Sequence, residues 1–567
     1  MKKKIIERDF SKIQLKFQNQ WENRLNKLQD EEGKVILNNA PNRIGKTITT
    51  LKFFSNLYYL RGKPKNILYL TDRHNQISEV EKHFDTDFKH LWPLKELCSQ
   101  KNTPWVKALI DKVPTKILCS KCKIGSKNCG YHLQYNDLEK HPIIACPKEF
   151  LNTGIIKNHQ WDLIIYDENI DKGDRIEPNI PNLTEEDFKE YNLKTDIFEY
   201  YQYIKDIVTE KNFKVYELTK EDIYGIEHLK EYFNKEGKKL VGFFIDNNHY
   251  ELPENLDNIL SFLTGFYETV EWIKLARKHG KRRYFPVNYI KKVLDHRNKG
   301  TNVIILNTSI KNEYFKEFFP DVPTETFNIK AYNAFSKILH FNENSKSFSK
   351  DALFLTDSNG KILLDKNGIA TFGSGQKNPK RKFYGKDILL QIQPAALFVK
   401  KRGKSTGIIT FKEAVKTFKE MNVDGVKLFD RVSYFGGHQG SNKFDDIDVL
   451  WTLGTYNVNP KAVLKSHYML TAEWLCFEDI SWNGSETING MKFRRSNIAS
   501  LNKVKLFKSN EEHEQTLFRS GALVKPDKLV ISYGFVPRGV EKQLKYQTFN
   551  TFPVVTSAIG KFFSEKS

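Results

Sequence analysis

Short apolar runs that end in polar turns recur along this chain, and a stretch of helical period follows most of them. Val35-Ile36-Leu37 is the first, a buried-strand signal that leads through a polar loop into ITTLKFFSNLYYL. Asn66–Phe84 repeats it as strand, turn and helix-period segment. In Trp161–Ile170 the run Leu163 to Tyr166 ends on Asp167 and Glu168. Thr301–Phe319 carries the strand Val303–Leu306, the turn Asn307-Thr308-Ser309 and a helix. Gly407–Met421, Ile447–Pro460 and Asp527–Pro537 continue the design, the last after EEHEQTLFRSG. Strands alternating with helices predict an α/β fold, with two parallel-sheet domains.

Two longer stretches break the alternation. About Arg175–Lys299 is dense in charged and aromatic residues at helical period, as in IFEYYQYIKDIVTEKNF, and predicts a mostly helical accessory insert. About Asn342–Gly403 holds Asn359-Gly360 and Asn367-Gly368, hairpin-turn dipeptides between apolar runs, and predicts a small antiparallel β element. Its basic patch KNPKRKFYGK reads equally as a phosphate contact or a solvated loop. A chain of 567 residues exceeds one core. The division expected is a first sheet domain from 1–90, 140–174 and 300–340, a cysteine-rich insert at 91–139, a helical insert at 175–299, a β-hairpin insert at 341–403 and a second sheet domain at 404–567.

Composition narrows the class. No segment approaches 18 uninterrupted apolar residues, so no membrane span is expected, and MKKKIIERDF lacks the apolar core of a secretory signal. Six cysteines do not suggest a disulfide framework, which makes a reducing cytoplasm the expected compartment. The formal charge of +21 comes from lysines spread along the whole chain, giving broad positive faces suited to a polyanion. A lysine-rich proteome bias is the plainer account; the phosphate-binding chemistry that accompanies the charge favours nucleic acid.

That chemistry begins in VILNNAPNRIGKT. Ala40, Pro41, Asn42, Arg43, Ile44, Gly45, Lys46 and Thr47 match the phosphate-loop pattern GxxxxGK[ST], with Ala40 in the place of the first glycine. Backbone N–H groups of such a loop and of the helix N-terminus face phosphates, the lysine reaches the β and γ positions, and the hydroxyl ligates Mg²⁺. ATP is the expected ligand. Asp167 would hold the Mg²⁺ through its water shell and Glu168 would polarise the attacking water. Alone, Asp-Glu after an apolar strand is an ordinary solvated turn; downstream of a phosphate loop, at the C-terminal end of a parallel strand, it converges on the same ligand.

Four cysteines lie between these motifs: Cys98, Cys119, Cys122 and Cys129, in LCSQ and CSKCKIGSKNCGYH. Cys146, in IIACPKEF, reads as a core residue. The C-x₂-C turn with a third cysteine close by suits a metal centre, either tetrahedral zinc or [4Fe–4S]. With zinc, His132 could replace Cys98; without metal the four are free thiols on a basic loop. The segment is poor in apolar residues, so metal would supply part of its folding free energy.

In order, phosphate loop, LTDRH, DEN, NTS, IIT, a GSN/GTYN segment and Q-x-x-x-R resemble the motif series of superfamily 2 helicases, over roughly Ile36 to Pro537. The resemblance implies two RecA-like motor domains with ATP between them. LTDRH would contact the nucleic-acid backbone, Asn307-Thr308-Ser309 would couple hydrolysis to strand movement, and Gln515 and Arg519 would form the last motif, with Arg519 reaching the γ-phosphate. The sequence departs from the pattern at Ile170, and at Ser520, Gly521 and Ala522, where a second arginine is usual; Arg538 is the other candidate for the arginine finger. A four-cysteine insert before the DExx box and a helical insert after it resemble the XPD-type and DinG-type iron–sulfur helicases. That implies a [4Fe–4S] cluster, with Zn²⁺ as the alternative, and a pore for single-stranded DNA. The activity expected is an ATP-dependent helicase or translocase, more DNA than RNA. The alternatives are a nucleic-acid-stimulated ATPase that remodels protein–DNA complexes without unwinding, and a non-hydrolysing nucleic-acid-binding protein on a decayed motor fold.

Overall fold

The computed structural model describes residues 2–564 apart from 41–43, 63–65, 85–86, 123, 125, 137, 210–214, 248–250, 281, 283, 308–311, 330–332, 342–347, 379–380, 438–443, 457, 476–478, 489–490, 523–524, 526, 538–539 and 550–554. Apolar runs of four or five residues become strands buried at every position, among them Val35–Asn38, Ile67–Thr71, Ile143–Pro147, Val449–Leu453 and Leu529–Tyr533. Parallel strands covered on both faces demand that composition.

Seven strands make the first sheet: β1 (Val35–Asn38), β2 (Ile67–Thr71), β3 (Phe88–His90), β4 (Ile143–Pro147), β5 (Leu163–Asp167), β6 (Asn302–Leu306) and β7 (Thr324–Phe327). Their order is β3-β4-β2-β5-β6-β1-β7, all parallel. The second sheet is also wholly parallel. Its strands are β8 (Asn333–Phe341), β9 (Thr406–Thr410), β10 (Arg431–Tyr434), β11 (Val449–Leu453), β12 (Leu529–Tyr533) and β13 (Leu544–Phe549), in the order β10-β9-β11-β12-β8-β13. This is the α/β architecture of two RecA-like sheets read from the sequence. β8 belongs to the second sheet, so the division falls between Phe327 and Asn333 rather than at 340, because β8 pairs with the distant β12 and β13.

Each face of the first sheet has its own cover. On one, Phe17, Trp21 and Leu25 of the N-terminal helix Lys2–Leu28 pack with Ile36, Tyr69 and Ile165. On the other, Leu37, Leu70 and Ile305 share a core with Val458, Val463, Leu470, Leu501, Val504 and Phe507, which follow the second sheet's β11 in sequence. One apolar core therefore runs from the first sheet into the second half of the chain.

The helical insert is built on Thr195–Val208, Lys220–Asp246 and Glu254–His279. A capping box at Thr219 and Asp222 starts the longest of the three. Its core takes in Leu94, Val106, Leu109, Val113, Ile117 and Leu118, so the cysteine segment shares a core with the helices instead of standing apart. An antiparallel ribbon, Gly173–Ile176 against Phe285–Asn288, joins this unit to the first sheet. From Tyr289 the chain is back in the first sheet's core through Ile290, Val293 and Leu294, which ends the helical insert about ten residues before Lys299.

Near Asn359-Gly360 and Asn367-Gly368 the chain makes antiparallel bridges, Thr356 to Ile362 and Leu364 to Ala370, with Asp357 and Asp365 accepting backbone N–H groups across each turn. Phe354, Ile362 and Phe372 pack into the second sheet's core. Among the described residues no helix is long and apolar enough to cross a membrane.

Candidate nucleotide site and cysteine cavity

At the C-terminal ends of three adjacent strands, β1, β6 and β5, follow the segment leading to Gly45-Lys46-Thr47, Asn307 and the DEN segment, side by side. Gly45 caps the helix Lys46–Arg61 at φ +90°, a left-handed conformation that favours glycine. Pro41, Asn42 and Arg43 lie outside the described residues. Ala40 and Ile44 are buried, and the Lys46 ammonium donates to the Ala40 carbonyl at 2.8 Å, folded back over its own loop. The Thr47 hydroxyl donates to Asp167 Oδ2 at 3.0 Å and the Tyr69 hydroxyl to the same oxygen at 2.9 Å.

Electrostatics tie these groups together. Burial lowers the Lys46 ammonium from its ordinary pKa, while Asp167, Glu514 and Glu168 oppose the shift. Burial raises the Asp167 carboxyl, Glu168 adds to the rise, and the hydrogen bonds from Tyr69 and Thr47 work against it. Glu168 sits at φ +59°, a strained position for a residue with a Cβ, and its carboxylate accepts from Gln76 Nε2 at 3.2 Å. Its N–H donates to the Leu306 carbonyl at 3.1 Å, so the neighbouring strand holds the turn.

Facing this edge is the helix Ala499–Leu517, which lies in the cleft between the sheets. On the second-sheet side, Glu512 accepts the Gly436 N–H, His513 Nε2 accepts the Tyr456 N–H at 2.9 Å, and Glu514 accepts from Gln543 Nε2 at 3.3 Å. On the first-sheet side the contacts come at steps of four, the spacing of one helix face. Lys503 Nζ pairs with Glu317 at 2.7 Å, Phe507 stacks on Tyr314 with centroids 4.2 Å apart, and Glu511 Oε1 accepts from Asn307 Nδ2 at 3.0 Å. Lys508 forms an ion pair with Asp171. Just past the helix, Arg519 donates to Gln515 Oε1 at 3.4 Å. Burial lowers its guanidinium from the usual value, and Glu168 and Glu512 favour its charged form.

The structure thus gathers Lys46, Thr47, Asp167, Glu168, Gln515 and Arg519 around one cleft. Thr308, Ser309, Arg538 and the GSN stretch lie outside the described residues. In LTDRH, Asp72 is held by Lys148 at 2.8 Å and by Asn169, while His74 stacks on Trp92 at 5.2 Å. Sequence reasoning missed Tyr69, Gln76, Asp171, Lys508 and Glu511. The one signal available for the last two was the dense polar run 508–515 on a helix that also carries Gln515.

Elsewhere, Cys98, Cys119, Cys122 and Cys129 line a single cavity of about 330 Å³ with Lys116 and His132. Burial raises the Cys119 thiol to about 11, and Cys129, Cys98 and Cys122 add to the rise. Among the described residues no three ligating side chains converge closely enough to hold one ion. A single zinc needs its sulfurs about 2.3 Å from a common point. The cavity spreads the four thiols around a larger space. Cys146 lies fully buried in β4, apart from them, with its thiol raised by burial.

Comparison with known proteins adds little. No protein-family profile matches the chain, and no curated protein does. Among solved structures it is similar to one described as truncated XPD, at 12% identity and a TM-score of 0.31, over 52% of this chain and 95% of that one. It is also similar to the Escherichia coli DEAH/RHA helicase HrpB, at 8% identity and a TM-score of 0.28, over 91% of this chain. The chain spans 42% of HrpB's length. The fold assignment rests on the two parallel sheets and their strand order, not on overlaps this loose.

Proposed function

We propose that the chain is an ATP-dependent motor on nucleic acid, of the helicase or translocase kind, acting on single-stranded DNA in preference to RNA. The observation that carries this reading is the meeting of Lys46, Asp167 and Glu168 on one sheet with Gln515 and Arg519 beside the other.

ATP would lie against the phosphate loop, where Lys46 would exchange the Ala40 carbonyl for phosphate oxygens. The Thr47 hydroxyl and Asp167 carboxylate, already in contact at 3.0 Å, form the hard oxygen pair that suits Mg²⁺, which neutralises phosphate charge when bound. Glu168 takes the proton of the attacking water, and Gln76 holds the carboxylate in place. Arg519 stays protonated despite its burial, because the carboxylates of Glu168 and Glu512 favour its charge, and it stabilises charge on the transferred phosphoryl group. The cleft helix touches both sheets, so a change at the phosphates reaches Asn307 and the second half together. The charge of +21 supports phosphate-backbone binding without sequence readout.

Cys98, Cys119, Cys122 and Cys129 line one cavity and are the residues that would hold a [4Fe–4S] cluster, or zinc in the alternative, although among the described residues no three ligating side chains group closely enough to hold an ion. Such a cluster would cross-link the segment and offer one-electron chemistry.

One observation favours the remodelling alternative. The apolar core that continues from the first sheet into Val458–Phe507 makes a large hydrophobic interface, which restricts wide opening of the cleft. ATP turnover with and without single-stranded DNA, combined with strand displacement, separates the readings. Stimulated turnover with displacement supports the helicase; stimulated turnover alone supports the remodeller. Lys46→Ala should abolish turnover while leaving nucleic-acid affinity, and near-normal turnover in that variant would overturn the motor reading altogether.

A further inference from the structure

Glu511 is buried at the junction of the two halves, and the scheme above gives it no task. It accepts from Asn307, which ends the strand lying between the phosphate-loop strand and the DEN strand. The groups facing it are Glu168 and Asp171 from the DEN segment, Tyr314 from the helix Asn312–Phe318, and Lys508 one turn earlier on its own helix. Glu512, Lys172 and Lys465 share with it the wall of a cavity of about 300 Å³ between the halves. Lys508 is already committed to Asp171, and Arg519 is drawn to Glu168 and Glu512. An ionised Glu511 would therefore be a fourth carboxylate, buried at a junction where Lys508 is engaged by Asp171 and Arg519 by Glu168 and Glu512.

We propose that Glu511 is a positioning residue that works as the neutral acid: its protonated carboxyl, bonded to Asn307, holds the cleft helix against the first sheet and so sets Arg519 opposite Glu168. The helix runs on from Glu511 to Leu517, roughly 9 Å along its axis, and Arg519 follows in the turn just past it, so a shift at Glu511 is carried to Arg519. The electrostatics agree with the geometry. Burial first, then Asp171, raises the Glu511 carboxyl to about 8, with Lys508 and the Asn307 hydrogen bond pulling the other way.

The pH dependence follows with a definite sign. Where the end of the helix beyond Phe507 parts from the first sheet, without the core at Leu501, Val504 and Phe507 coming apart, Glu511 is exposed and returns to its ordinary value of about 4.3. Closure then takes up a proton at any pH between that value and about 8. The closed form gains up to about tenfold per unit as pH falls through this window. Above about 8 the dependence levels off, because neither form keeps the proton. This inference rests on the proposed function only for its kinetic consequence.

The test uses the full chain with a fluorophore pair, one on each half, followed from pH 6 to pH 9 without nucleotide. The closed fraction of the unaltered protein should fall as pH rises from 6 and flatten near 8. Glu511→Gln, a neutral isostere, should stay closed with no titration in that window and keep turnover within a few-fold. Glu511→Ala, which removes the acceptor of the bond from Asn307 Nδ2, should open the cleft at every pH. A Gln variant that titrates like the unaltered protein, or that opens like the Ala variant, overturns the proposal. An infrared carbonyl band of a protonated carboxyl, present at pH 7, lost above pH 8 and missing in either variant, reads the same proton without relying on closure; its absence at pH 7 also overturns the proposal. If no variant turns over ATP but the closure titration behaves as stated, the ATPase reading fails and this one stands.

Discussion

Replacing Lys508 with methionine keeps the aliphatic stem of the side chain and removes its charge, which isolates the ion pair with Asp171. The Asp171 side chain is 6% exposed and that of Lys508 24%. Removing one member of a buried pair costs about 3–5 kcal/mol, because the remaining charge is stranded. Partial exposure of Lys508 places this pair at the low end, about 3 kcal/mol, or roughly a hundredfold in an equilibrium constant. The pair joins the cleft helix to the DEN segment, so the loss falls on their contact. Amide hydrogen exchange on the full chain reads it: exchange across 503–515 should rise roughly a hundredfold in Lys508→Met, while the helix Lys220–Asp246 stays as before. Adding Asp171→Asn removes the stranded charge and should recover most of the loss, as a coupling between the two sites. Burial opposes ionisation of Asp171, but Lys508 outweighs it and holds the carboxyl below its usual range. The contribution is therefore complete above the usual carboxylate range and is lost only as pH falls through the depressed value. A change in exchange under threefold in Lys508→Met would refute the claim that this pair holds the halves together.

Glu168→Gln should bind nucleotide and lose hydrolysis by about 10²-fold or more; loss of nucleotide binding instead would show that Glu168 is not the base. Oxygen-free protein that contains iron or zinc should lose it in Cys119→Ser, and the variant should loosen 91–135. Because that segment shares its core with the helical insert, the insert's exchange should also rise, and oxygen-free protein with neither iron nor zinc by elemental analysis would remove the centre. Nucleic-acid affinity should fall about 10³-fold or more between 50 and 200 mM salt if six or more phosphates are contacted; an affinity flat over that range would dismiss the charge argument.

Local sequence was enough for the parts of this protein whose physics is local. A run such as Leu163–Tyr166 buries on both faces wherever its strand sits, and Gly45-Lys46-Thr47 shapes its own helix start. Hence the α/β class, the helix start at Gly45-Lys46-Thr47 and the DEN turn were legible. The boundary expected at 340 left Asn333–Phe341 with the first sheet domain, because the strand's partners lie about 200 residues downstream, where no local period reports them. The cysteine segment looked too poor in apolar residues to fold without metal; Val106, Leu109 and Ile117 find their core in helices beyond Leu183. Nothing in the neighbouring sequence sets Phe507, Lys508 and Glu511 apart on their helix. Only the approach of Tyr314, Asp171 and Asn307 makes them the seam between the halves. Backbone preference and burial act on neighbours in sequence and are written there, whereas ion pairs, shared cores and raised carboxyls depend on which distant groups desolvate one another, and that is decided by packing.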